Sequence, residues 1–282
     1  MTILRPIALV TGATAGIGAE FCRQLAASGH DLVLVARDRL RLEAFAAQLI
    51  DQYGVDVEVI VADLAHPDHC ARIEVRLAET TRPIAVLVNN AGFGLNQDFD
   101  QSSVDDEQRL LDVLVTAPMR LSHAAIRAML ARRGDPRGPT LDDPPLAVAP
   151  SADGRKAGTI INVSSIAAFA PLGSYSAAKS WLQSFSRWAN AYYRPAGITV
   201  TALAPGFVRT EFHERMGVER SSMAPRWLWL DVAPLVRATL LAAARGRAVV
   251  VPTARYRVIS WIARALPMTV VTIVAKRDRW SR

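Results

Sequence analysis

The chain has 282 residues, of which 51% are apolar and 7% aromatic, enough to bury a substantial core in one large domain. Two cysteines, Cys22 and Cys70, stand outside any CxxC pair, so neither a disulfide framework nor a cysteine zinc site is expected, and a reducing cytoplasm suits the chain. The net charge is +7, yet nine basic residues against Asp278 alone fall between Arg245 and Arg282, leaving 24 basic and 25 acidic residues before them, which argues against a nucleic-acid-binding body.

The opening Met1-Thr-Ile-Leu-Arg-Pro6 leads at once into an apolar stretch without a signal-peptide pattern. No uninterrupted apolar run reaches the ~18 residues that a spanning helix needs. From there strands and helices alternate. Ile7–Val10, Asp31–Val35, Val57–Val61 and Ile84–Val88 are short apolar runs, as in parallel strands buried on both faces. Helices are predicted over Gly18–Ala27, Leu40–Ile50 and Asp68–Glu79, with one long helix over Asp105–Arg132. Residues 133–157 then carry five prolines and no periodic apolar pattern, which reads as a flexible surface insertion. The alternation resumes with strands at Thr159–Val163, Thr199–Leu203 and Ala248–Val251 and a helix over Tyr175–Arg194. This alternation predicts an α/β fold class with a parallel sheet buried on both faces. Residues 1–252 form its single domain and 253–282 a basic, apolar helical extension.

The turn after the first strand reads Thr11-Gly-Ala-Thr-Ala-Gly-Ile-Gly18. Glycines between a strand and a helix let the backbone approach a pyrophosphate, and the helix start offers free N–H groups. Gly12, Thr14, Ala15, Gly16, Ile17 and Gly18 are the candidate phosphate-binding residues. A glycine trio alone is a weak signal; its strand–turn–helix context makes it strong.

This Gly-xxx-Gly-x-Gly spacing resembles the short-chain dehydrogenase/reductase family, and further matches follow in the family's order. They are Asp63-Leu64, Asn89-Asn90-Ala91-Gly92, Tyr175-Ser-Ala-Ala-Lys179 and Pro205-Gly-Phe-Val-Arg-Thr210. The resemblance covers about residues 7–210. It implies a Rossmann-like doubly wound sheet of about seven parallel strands with helices on both faces, assembly as a homodimer or homotetramer, and a nicotinamide cofactor. It assigns Asp63 and Leu64 to the adenine ring, and Asn90, Ala91, Gly92, Pro205, Gly206, Val208 and Thr210 to the rest of the cofactor. Tyr175 and Lys179 count as both cofactor-binding and catalytic.

The end of the second strand reads Val35-Ala36-Arg37-Asp38. An acid there would serve the ribose of NAD, whereas an arginine suits the 2′-phosphate of NADP. Arg37 predicts NADP(H), while Asp38, one residue further on, keeps NAD(H) open.

Tyr175 and Lys179, four apart, share a helix face. An ammonium beside a phenol is expected to lower its pKa, so that the tyrosine can exchange a proton with an alkoxide. In the family a serine completes the set, and of Ser164 and Ser165 the resemblance favours Ser165. Two departures stand out. The interval from Ser165 to Tyr175 is about three residues shorter than the family's. Leu114 occupies the place of an asparagine that helps relay protons, and Thr116 is the nearest hydroxyl.

The apolar loop Ile166–Ser174 and a substrate lid over 211–231, with Met216, Met223, Trp227 and Trp229, suit an apolar, lipid- or steroid-like carbonyl or alcohol. Ordinary core packing explains the lid residues equally well. The tail after Pro252 could lie on an anionic membrane surface, form a dimer arm or cover the cleft. His66, Asp68, His69 and Cys70 read as a solvated helix start rather than metal ligands, so no metal is expected. Two other functions stay open: a nucleotide-binding sensor or scaffold with decayed chemistry, and a reductase of lipid ketoacyl esters.

Overall fold

The computed structural model describes residues 5–95, 97–132, 157–210 and 225–265. Most of the insertion over 133–157, the lid residues 211–224 with Met216 and Met223, and the tail beyond 265 lie outside the described residues.

Seven parallel strands form one sheet: β1 Ile7–Thr11, β2 Asp31–Ala36, β3 Val57–Val61, β4 Ile84–Asn89, β5 Gly158–Val163, β6 Ile198–Leu203 and β7 Val249–Val250. Their order is β3-β2-β1-β4-β5-β6-β7. The chain winds one way from β1 to β3 and the other way from β4, so a crevice opens at the strand ends where the direction reverses.

The described residues form eight α-helices, of which the first seven lie between strands and the eighth follows the last strand: α1 Gly16–Ala27, α2 Arg39–Tyr53, α3 Pro67–Ala78, α4 Val104–Leu111, α5 Ala117–Ala131, α6 Ser174–Tyr193, α7 Val232–Ala244 and α8 Ala254–Ala265. Successive strand residues serve opposite cores. Ile7, Leu9, Val33 and Val35 pack with α3, α5 and α6, while Ala8, Val10, Leu32 and Leu34 pack with α1, α2 and α7. Period-2 side-chain alternation thus feeds two apolar layers, which is why these strands read as unbroken apolar runs.

The long helix predicted over Asp105–Arg132 is interrupted. Between α4 and α5, residues Asp112–Thr116 form a π turn in which the Ala117 N–H bonds to the Asp112 carbonyl. Pro118 has no N–H to continue the i→i−4 ladder, and the wider register accommodates that gap. The turn directs Leu114 inward, with 1% of its surface exposed.

Candidate active site

The phosphate loop is built by the end of β1 and the start of α1. Gly12 has φ +63°, and a Cβ there would stand 2.8 Å from Asn90 Nδ2 and 2.9 Å from the Ala91 backbone. Only glycine combines that dihedral with that approach. Thr11 ties the loop to the turn after β4: its hydroxyl accepts from the N–H groups of Asn90 (3.0 Å) and Ala91 (3.1 Å), and Asn90 Nδ2 donates to the carbonyl oxygens of Thr11 and Gly12. Ala15 precedes α1 in extended geometry with no side-chain cap, unlike Asp38 before α2 and Ser103 before α4. Among the described residues no side chain caps the first N–H groups of α1, the state in which a helix end can accept an anion.

At the end of β2, Arg37 is exposed. Asp38 caps α2, its carboxylate accepting from the Arg41 N–H at 3.1 Å, and the Arg41 guanidinium reaches the Thr14 carbonyl of the phosphate loop at 3.5 Å. Asp63 carries a contact the sequence did not reveal. Its carboxylate pairs with Arg109 of α4 at 2.5 Å and accepts from the Ala65 N–H at 3.1 Å. Burial pushes the Asp63 carboxyl up, but the Ala65 N–H, the Arg109 guanidinium and the field of Arg37 together hold it below the usual carboxylate range. Leu64 is buried beside it. His69 Nδ1 accepts from the Asp63 N–H at 2.9 Å and Cys70 Sγ donates to the Leu64 carbonyl, so both shape this loop. Among the described residues no cluster of His, Cys, Asp or Glu could hold a metal.

Ser165, Tyr175 and Lys179 come together where β5 ends and α6 begins. The Tyr175 hydroxyl is hydrogen-bonded to the Ser165 side chain. Ser165 Oγ also accepts from the Ala167 N–H at 3.1 Å, capping a 3₁₀ turn over Ile166–Phe169. Ser164 turns the other way: its buried hydroxyl donates to the Lys179 carbonyl at 2.7 Å and so fastens β5 to α6. Lys179 is 4% exposed and donates from Nζ to the Val163 carbonyl at 2.8 Å. The apolar side of its pocket is Leu114. A Cβ on Gly92 would stand 2.9 Å from Leu114 Cδ2 and 3.6 Å from Lys179 Nζ, which places the leucine and the ammonium around the same glycine.

The electrostatics correct one expectation. Burial pushes the Tyr175 phenol up to about 12, with the Ser165 bond pulling the other way. Burial also pushes the Lys179 ammonium down to about 8. The ammonium does not lower the phenol as expected: loss of solvation disfavours each charged form, and the Lys179 ammonium is directed to the Val163 carbonyl. The phenol is protonated at neutral pH.

The Pro205–Thr210 turn meets the phosphate loop from β6. Thr210 is buried, and a Cβ on Gly16 would come within 2.9 Å of it. Val208 forms a parallel bridge with Leu230, so the segment that returns at residues 225–231 is joined to this turn. Trp229 packs on Phe207 at 5.6 Å between ring centres, whereas Trp227 is exposed.

Sequence reasoning missed Thr11 as a site organiser, although it opens the quoted motif. It also missed Arg109 and Tyr256, whose partners lie 46 and 49 residues away and leave no local signal.

The short chain dehydrogenase family model matches residues 6–135 and 146–220, and the chain belongs to that family. A human protein named inactive hydroxysteroid dehydrogenase-like protein 1 is 29% identical over 236 residues, covering 82% of this chain and 63% of its own length. Among solved structures, a short-chain dehydrogenase from Sphingobium yanoikuyae in complex with NADPH is similar with a TM-score of 0.76 and 34% identity over 91% of this chain and 93% of that one. A bulky-bulky ketone specific alcohol dehydrogenase from Comamonas testosteroni gives 0.72 and 32% identity, over 92% of each chain.

Proposed function

We propose that this chain is an NADP(H)-dependent oxidoreductase that interconverts a carbonyl and a secondary alcohol on an apolar substrate. The observation that carries this reading is the junction of Ser165, Tyr175 and Lys179 beside a glycine loop and an uncapped helix start. The nicotinamide supplies or accepts the hydride. In this reading Gly12, Thr14, Ala15, Gly16, Ile17 and Gly18 hold the pyrophosphate, Asn90, Ala91 and Gly92 line its path, and Pro205, Gly206, Val208 and Thr210 close over the nicotinamide end. Asp63 and Leu64 flank the adenine.

Arg37 favours the 2′-phosphate, since a guanidinium fork matches phosphate oxygens. Asp38 is occupied as a helix cap, which weakens it as a ribose acceptor. The NADPH bound to the Sphingobium relative supports the same cofactor. Tyr175, protonated at neutral pH, gives its hydroxyl proton to the alkoxide oxygen as a carbonyl is reduced, while Ser165 orients that oxygen. The half-buried residues Ile166–Phe169 provide an apolar wall, and the Comamonas relative's bulky ketones fit such a mouth.

Part of the same proposal is cytoplasmic residence as a homodimer or homotetramer. The aromatic row Trp181, Phe185, Trp188 and Tyr192 along α6 is a face that a second copy would cover. No helix of the described residues is long and apolar enough to cross a membrane. Peripheral membrane contact through the C-terminal region draws on Val258, Trp261 and Ile262 exposed on α8 and on the basic residues beyond it. Liposome flotation of the full chain against one ending at Pro252 tests it, and equal recovery in the soluble fraction removes it.

A second reading, a nucleotide-binding sensor with decayed chemistry, is favoured by Leu114 beside Lys179 and by a relative named inactive. NADPH oxidation against a panel of bulky ketones and long-chain ketoacyl esters separates the two. Turnover supports the oxidoreductase, and tight NADPH binding without turnover on any member supports the sensor.

A further inference from the structure

One contact of the C-terminal helix is unexplained by the proposed chemistry. Tyr256 of α8 is 1% exposed, and its hydroxyl joins two separate pieces of backbone. It accepts from the Phe207 N–H at 3.1 Å and donates to the Leu228 carbonyl at 2.7 Å. Its ring lies directly on Gly206: a Cβ there would fall 1.9 to 2.3 Å from three ring carbons, so only glycine permits the contact. The neighbouring Arg255 donates to the carbonyl oxygens of Trp227 and Trp229. The two backbone pieces are themselves paired, with the Leu230 N–H bonded to the Phe207 carbonyl at 2.8 Å and the Arg209 N–H to the Leu230 carbonyl at 3.0 Å. Thr210, at the end of the same turn, packs on Gly16 of the phosphate loop.

We infer that Tyr256 is a positioning residue for the cofactor: its hydroxyl sets the Pro205–Thr210 turn at its distance from the phosphate loop and registers that turn against Arg226–Asp231. This rests on the reading of the turn as part of the cofactor site. Tyr256 touches no reacting atom. It acts through the Phe207 amide and the Leu228 carbonyl, both of which lose this hydroxyl as a partner when the ring is a bare phenyl. Each such bond contributes modestly on its own, and the two together tie the turn to the returning segment.

The test is Tyr256→Phe in the full chain, which keeps the ring on Gly206 and removes only the hydroxyl. NADPH affinity is read by fluorescence titration without substrate, so turnover is not required. The expected result is a dissociation constant raised about tenfold, with the melting-temperature gain on adding NADPH reduced in step. Equal NADPH affinity in wild type and variant overturns the inference and leaves the proposed function standing. A wild-type chain that binds neither NADPH nor NADH overturns both. Should the variant fail to fold, amide exchange of the wild type decides. Added protection on NADPH binding in both 205–210 and 254–260 upholds the inference, and protection confined to 205–210 overturns it.

Discussion

The ammonium nitrogen of Lys179 stands 5.6 Å from the centre of the Tyr175 ring while giving its hydrogen bond to the Val163 carbonyl. Lysine and tyrosine are thus neighbours on α6, but the lysine is held by the end of β5 and the tyrosine by Ser165. Each can be perturbed without displacing the other.

Tyr175→Phe removes the proton donor and keeps the ring. Turnover is expected to fall by about 10² to 10⁴-fold, the usual contribution of a positioned acid. NADPH affinity should stay within about threefold, because the phenol is read as serving the substrate oxygen. Steady-state kinetics beside fluorescence titration check both; unchanged turnover would refute the assignment.

Burial lowers the Lys179 ammonium to about 8, so the site loses its positive charge as pH rises through that value; carbonyl reduction at saturating NADPH, which builds negative charge on the substrate oxygen, is expected to decline with it. Stability moves the other way. Between about 8 and the ordinary lysine range the unfolded chain binds more protons than the folded one, so stability rises with pH across that window, by at most ~3 kcal/mol. Lys179→Met should abolish the rate decline at pH 8. Its urea midpoint, highest relative to wild type below pH 8, should lose that advantage towards pH 10. Parallel midpoints for the two chains would contradict the buried ammonium.

Leu114→Asn places an amide beside Lys179 Nζ in an otherwise apolar wall. The ammonium should gain a partner and its titration should move upward, carrying the pH decline in rate with it. Loss of the leucine is expected to destabilise the chain by about 2 to 4 kcal/mol. A pH–rate profile and a denaturation curve on the same preparation separate the two effects.

Arg37→Ala should weaken NADPH binding by about tenfold or more while leaving NADH binding nearly unchanged, since one charge-assisted contact to a phosphate is lost. Equal losses for the two cofactors would move the 2′-phosphate away from Arg37.

Arg109→Ala should release the Asp63 carboxyl towards its ordinary range. Both partners of the pair are partly exposed, with side-chain exposures of 40% and 20%, so the stability loss is expected to stay below about 1 kcal/mol. An NMR titration of Asp63 reads the upward shift, and a melting curve bounds the stability change.

Much of this architecture was legible because it is written locally. A short run such as Leu32–Val35 with both faces apolar can only be an inner strand, and the next such run after a helix is its parallel neighbour. The glycine turn was legible because Gly12 must adopt a backbone that other residues avoid. The break in the long helix was not read, although Pro118 marks it, because an apolar periodic pattern runs on through a π turn unchanged.

The sequence by itself determined the strand order class, the glycine loop and the spacing of Tyr175 and Lys179, all properties of neighbours along the chain. The tertiary structure alone decided that Ser165 rather than Ser164 meets Tyr175, that Asp38 caps a helix, that Asp63 is paired with Arg109 and that the Tyr256 ring packs on Gly206. It also reversed the expected shift of the phenol. Burial is set by segments distant in sequence, and loss of water around a charge outweighs the identity of the residue four positions away.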